Sequence, residues 1–123
     1  MQRILVVDDD DLFRDSFCQI LSAHGYETVQ ARDGREGQKK LSAERFDLVV
    51  TDLLMPERDG IETIMAMRTT NPDTPVVAIS GGGMRSGSEY LECASAIGAA
   101  YIFHKPLQTE RVLAAIRECL MTV

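Results

Sequence analysis

Three short apolar runs, each ending in a polar group, constrain this chain more than any other feature. Ile4-Leu5-Val6-Val7 runs into Asp8-Asp9-Asp10, Phe46-Asp47-Leu48-Val49-Val50 leads to Thr51-Asp52, and Val76-Val77-Ala78-Ile79 leads to Ser80. Runs this short and this rich in β-branched residues read as strands, and their continuity, without strict alternation, implies burial on both faces of a parallel sheet. After Asp52, Pro56 and the Asp59-Gly60 pair force a turn. A lone carboxylate after a strand is an ordinary cap or turn residue. Several strands with polar ends, separated by helix-length segments, instead bring those groups together at the carboxyl edge of one sheet, where α/β folds bind ligands.

The remaining chain fills in the alternation. Strand one is expected over Arg3–Asp8, followed by a helix carrying Leu12, Phe13, Ser16, Phe17, Ile20 and Leu21 to Ala23, with Gly25 as its stop. Asp10 or Asp11 caps that helix, which makes one member of the acidic triplet structural. Glu27–Ala31 reads as strand two and Gly34–Ala43 as a polar helix anchored by Leu41. Strand three covers Asp47–Thr51. Gly60 opens a helix with Ile61, Ile64, Met65 and Met67, its methionines read as core filler, ending before Asn71-Pro72. Pro75 admits strand four, Val76–Ser80. A Gly- and Ser-rich segment then runs to Ser88, and a helix from about Glu89 to Ile97 is closed by Gly98. Tyr101–Phe103 is strand five, Pro106 marks its end, and Thr109 begins a helix with Val112, Leu113, Ile116 and Leu120 on one face. Five β–α units in one domain, residues 1–123, with right-handed crossovers, are the expected architecture.

With 123 residues the chain can bury a core without disulfides or metal staples. Its formal charge of −6, from 19 acidic against 13 basic residues, argues against direct nucleic-acid binding. Cys18, Cys93 and Cys119 form no CxxC pair, and His24 and His104 are too few for a zinc cluster. No signal peptide or membrane-length apolar run is present, so no membrane insertion and a cytoplasmic location are expected.

Asp8, Asp9 and Asp52 side by side would repel one another, and a hard divalent cation held by oxygen donors, Mg2+ rather than Ca2+, relieves that repulsion. Lys105 adds positive charge at the end of strand five, with the following Pro106 pinning the backbone. Ser80 offers a hydroxyl, followed by small residues whose N–H groups can face an anion. A cation, an acidic nucleophile, a lysine and a hydroxyl describe phosphoryl transfer to the Asp52 carboxylate. Other chemistries fit poorly. There is no GxxxxGK loop, and no GxGxxG follows strand one. Nothing encloses a sugar between two acids. A haloacid-dehalogenase phosphatase wants an acid two residues after its nucleophile, where this chain has Leu54.

These pieces, in this order, resemble the receiver (phosphoacceptor) domain of two-component response regulators over essentially the whole chain: Val7-Asp8-Asp9, Asp52 with Met55-Pro56 and Asp59-Gly60, Ser80-Gly81, and Lys105-Pro106. The resemblance implies a doubly wound (βα)5 flavodoxin-like three-layer sandwich with strand order 2-1-3-4-5. It implies that Asp52 is phosphorylated by a histidine kinase. It further implies that Asp9, Asp52 and the Leu54 carbonyl ligate Mg2+ directly, with Asp8 acting through water, and that Ser80 and Lys105 contact the phosphoryl group. It also implies a cis Lys105–Pro106 peptide. Such a domain catalyses its own phosphorylation and dephosphorylation and has no separate substrate.

Two departures stand out. The family's switch aromatic falls three residues before the lysine, where this chain has Ile102; Tyr101 and Phe103 flank it but point to the opposite face. The stretch from Ser80 to Lys105 is also a few residues longer than in typical relatives, with the excess assigned to the Gly81–Ser88 loop. The switch is therefore expected to involve Ser80, Ile102 and Gly81-Gly82-Gly83. Expected partners are a sensor histidine kinase or phosphotransfer protein, a downstream protein or output domain, and a second copy in a phosphorylation-dependent homodimer. A non-switching pseudo-receiver, a constitutive interaction module, is the alternative. A single-domain regulator and a receiver from a longer chain are equally compatible with the sequence.

Overall fold

The computed structural model describes residues 1–53, 60–80 and 98–121. Their elements are β1 (Arg3–Val7), α1 (Asp11–Ala23), β2 (Glu27–Ala31), α2 (Gly34–Ala43), β3 (Leu48–Asp52), α3 (Gly60–Thr70), β4 (Val76–Ser80), β5 (Tyr101–His104) and α4 (Thr109–Met121). The five strands are all parallel and lie in the order β2-β1-β3-β4-β5. This is the expected flavodoxin-like arrangement. The helix expected over 89–97 lies outside the described residues.

Alternation along the strands divides the core into two layers. Ile4, Val6, Leu48, Val50, Val77 and Ile79 face Phe17, Cys18 and Leu21 of α1 and Val112, Leu113 and Ile116 of α4. Leu5, Val7, Val49, Val76 and Ala78 face Leu41 of α2 and Ile64 and Met67 of α3. Both faces are covered, which is why Ile4–Val7, Leu48–Val50 and Val76–Ile79 are apolar without interruption. Gly37 of α2 lies so close to β1 that a Cβ there would stand 3.0 Å from a Val7 methyl carbon.

Local chemistry sets the boundaries. Asp10 is the N-cap of α1, its carboxylate accepting from the Phe13 N–H at 3.1 Å. Gly25, at φ +92°, turns the chain out of that helix. Asp33 caps α2 by accepting from the Glu36 N–H, and Glu36 reaches back to the Arg32 N–H, both at 2.8 Å. At the amino edge, Arg3 bonds Glu27, Glu44 and the Arg45 carbonyl and lies over the Phe46 ring, tying β1, β2 and the approach to β3 together.

Three side chains depart from their expected packing, one of them Ser16, which α1 leaves exposed. Met65 is 54% exposed, so only Met67 of the two α3 methionines named as core filler is buried. Leu12 is 82% exposed. The buried stripe of α1 runs through Arg14, Phe17, Cys18 and Leu21, and Leu12, two residues before Arg14, is about 200° around the helix from it.

Candidate phosphoacceptor site

The carboxyl ends of β1, β3, β4 and β5 carry the polar groups. The Asp8 N–H extends the β1–β2 ladder by donating to the Ala31 carbonyl at 3.1 Å, which holds the residue in line with the sheet. Its Oδ1 accepts from the Asp10 N–H at 2.8 Å. Asp52 closes β3, and the next N–H, that of Leu53, bonds the Ile79 carbonyl at 2.8 Å. Ser80 closes β4, and its carbonyl accepts from the Lys105 N–H at 2.8 Å, fixing the start of the loop after β5. The Lys105–Pro106 peptide is cis.

Asp8, Asp52 and Ser80 are buried, whereas Asp9 is exposed. Lys105 Nζ enters between the first two, 2.9 Å from Asp8 Oδ2 and 3.5 Å from Asp52 Oδ2. The Asp8 contact is a short ion pair to a buried carboxylate oxygen. Burial pushes the Asp8 carboxyl above its usual range, and the Asp10 N–H and Lys105 only partly offset it. For Lys105, burial pulls downward, but the contact with Asp8 and the charges of Asp8, Asp52 and Asp10 outweigh it, leaving the ammonium raised.

One carboxylate oxygen from each of Asp8, Asp9 and Asp52 lies within 4.8 Å of the others. Three hard oxygen donors at this spacing, two of them on buried residues, fit a small oxygen-seeking cation. Mg2+ is the ion this set suits. Leu54 and Gly81-Gly82-Gly83 lie outside the described residues.

Two site residues were not apparent from the sequence. Arg14 is 8% exposed and spends its guanidinium on three groups: the Asp8 carbonyl at 2.7 Å, Gln30 Oε1 at 2.7 Å and Asp11 Oδ1 at 2.6 Å. Phe13 places its ring 4.1 Å from Lys105 Nζ. The β5 side chains fall as the strand period requires: Ile102 packs with the α2–α3 layer, while Tyr101 and Phe103 pack in the other layer and stack on each other. Neither aromatic takes the place of Ile102. A cavity of about 510 Å3 lined by Ser42–Asp47 and Thr70–Thr74 lies at the opposite, amino edge of the sheet and shares no residue with the carboxylate cluster.

A parallel doubly wound sheet with carboxylates and a lysine gathered at its carboxyl edge defines a class of phosphoryl-accepting signalling domains. Residues 4–117 match the response regulator receiver domain family, and the chain belongs to that family. It is 39% identical over 118 residues to the response regulator MprA of Mycolicibacterium vanbaalenii, covering 96% of this chain and 50% of that protein. The chain thus spans about half the length of the curated relatives it matches. A CheY-like response regulator receiver domain protein of Methanospirillum hungatei superposes with TM-score 0.88 at 31% identity, covering 98% of this chain and 94% of that one. The response regulator TrrA of Thermotoga maritima, solved with Mg2+ and BeF, superposes with TM-score 0.86 at 28% identity, covering 98% and 100%. As a receiver domain it belongs to the phosphorylation-dependent signalling domains, and its carboxylate cluster suits Mg2+. Among the described residues no helix is long and apolar enough to cross a membrane.

Proposed function

We propose that Asp52 is the residue phosphorylated, with a phosphohistidine of a sensor kinase or phosphotransfer protein as the donor. The observation that carries this reading is the position of Lys105 Nζ, 2.9 Å from Asp8 and 3.5 Å from Asp52. An ammonium there can meet a phosphoryl oxygen as it arrives at the Asp52 carboxylate. In the transfer an Asp52 oxygen forms the new O–P bond, the P–N bond to the donor imidazole breaks, and the electron pair leaves with the imidazole. Mg2+, when bound, supplies positive charge against the transferring oxygens. Asp9, Asp52 and the Leu54 carbonyl would hold it, with Asp8 acting through water. Asp8 also orients Lys105, and the Ser80 hydroxyl is the second donor to the phosphoryl group.

The same reading gives the product a signalling role, with a downstream protein or output domain reading the phosphorylated surface and a second copy of the domain as a further partner. The cytoplasm is the expected location. Incubation with Mg2+ and phosphoramidate tests the assignment. The parent should gain an acid-labile phosphoryl group, and D52N should gain none. Incorporation into D52N at the parental rate would place the acceptor elsewhere.

A further inference from the structure

Three groups converge on the Lys105 ammonium: Asp8 Oδ2 at 2.9 Å, Asp52 Oδ2 at 3.5 Å, and the Phe13 ring centroid at 4.1 Å. Phe13 is fixed in its turn. Its ring stacks on Phe17, with centroids 5.7 Å apart and planes 14° from parallel, and Phe17 is 4% exposed in the core. The Asp10 cap, which bonds the Phe13 N–H, secures the first turn of α1 from the other side. The ring therefore forms a fixed wall beside the lysine.

A ring face attracts a cation through its quadrupole and accepts no directed hydrogen bond from it. A carboxylate or carbonyl in that place would bind an N–H that must be released when a phosphoryl oxygen arrives. The ring stabilises the charge and leaves the N–H directions uncommitted.

We propose that Phe13 is a positioning residue for phosphoryl transfer, its ring holding the charged end of Lys105 at the strand ends so that the N–H groups can turn onto the transferring oxygen. This rests on Asp52 being the acceptor. An aliphatic residue of similar volume fills the space but exerts no pull on the ammonium. The lysine then samples orientations that are unproductive for transfer.

The test compares the parent with F13L, F13M and F13W, two aliphatic replacements guarding against a single folding failure. In chelator, the Lys105 ε-methylene protons of the parent should show an upfield ring-current shift in NMR spectra. F13L and F13M should lose that shift, and F13W should keep one. With Mg2+ and saturating phosphoramidate, F13L and F13M should label about fivefold more slowly. Their Mg2+ affinity should remain unchanged, and F13W should recover most of the rate. Parental labelling rates in F13L and F13M, or a slow F13W that keeps its ring shift, would overturn the proposal while leaving the acceptor assignment intact. A parent that takes no label at Asp52 would overturn both.

Discussion

Arg14 donates from Nη1 to the backbone carbonyl of Asp8 at 2.7 Å, so a buried guanidinium in the first helix holds the end of the first strand. The same fork reaches Gln30 on β2, which makes Arg14 a joint between α1, β1 and β2. Replacing it as R14M would leave the buried Asp8 carbonyl and the part-buried Gln30 amide oxygen without their donors. We expect a loss of about 2–4 kcal/mol in urea unfolding. R14K should recover only part of this, because an ammonium cannot reproduce the planar fork. A loss below about 0.5 kcal/mol in R14M, the size of an ordinary surface change, would show that the joint contributes little to stability.

The charge of Asp8 gives a pH-dependent prediction for the metal-free protein. Burial raises its folded-state pKa above the ordinary 3.8, so the fold prefers the protonated form. That preference contributes stability fully below pH 3.8 and loses it as pH rises through the elevated folded value. At pH 7 in chelator the ionised carboxylate therefore weighs against folding. D8N should melt above the parent there, with the difference shrinking as pH is lowered toward 3.8. A D8N variant that melts well below the parent at pH 7 would mean that the Lys105 ion pair outweighs the desolvation of Asp8.

The lifetime of the phosphoryl group turns on how a water is placed opposite the Asp52 oxygen. Two residues beyond Asp52 and two beyond Ser80 the chain has Leu54 and Gly82, neither of which offers a side-chain hydrogen bond to hold that water. Slow self-dephosphorylation is expected. Introducing an amide as L54N should shorten the half-life of the phosphorylated form by roughly tenfold, a small share of what a positioned acid or base supplies. Phosphate release after removal of the donor is the measurement, and an unchanged half-life in L54N would show that water is not controlled from that position.

The route by which phosphorylation reaches a partner is also open to test. Ile102 packs into the α2–α3 layer, and its β-branched side chain is stiff at the first dihedral. It can fill that space in either state without displacing a ring. Tyr101 and Phe103 are engaged in the opposite layer. Strand five should therefore change little on activation. Amide exchange with and without beryllofluoride and Mg2+ should show new protection concentrated at residues 81–90, where three consecutive glycines and Gly87 follow Ser80. Protection centred on 101–103, with 81–90 unaltered, would contradict this.

A residue's place in the fold is legible in the sequence when its determinants are local. Asp8, Asp52, Ser80 and Lys105 were legible because each sits where an apolar run stops, and a parallel sheet sends all such stops to one edge. The polar helix α2 was legible from Gly34 to Ala43 although Leu41 was its only evident anchor, and its ends are fixed locally by Asp33 and Glu36. Arg14 was not, because an arginine between Phe13 and Asp15 on an amphipathic helix reads as solvated. Its burial depends on partners supplied by β1 and β2, which lie together only in the fold. The helical period puts Phe13 on the core side of α1, but its place over Lys105 joins residues at opposite ends of the chain. Leu12 and Met65 are exposed for the converse reason: an apolar residue near a buried stripe need not lie on it.

The phosphorylated residue can be mapped chemically. Protein labelled with phosphoramidate and Mg2+ is reduced with borohydride, which converts an aspartyl phosphate to homoserine, and is then digested and sequenced by mass spectrometry. The account predicts homoserine at position 52 and unmodified aspartate at positions 8 and 9. Homoserine at position 8 or 9, with Asp52 intact, would contradict it.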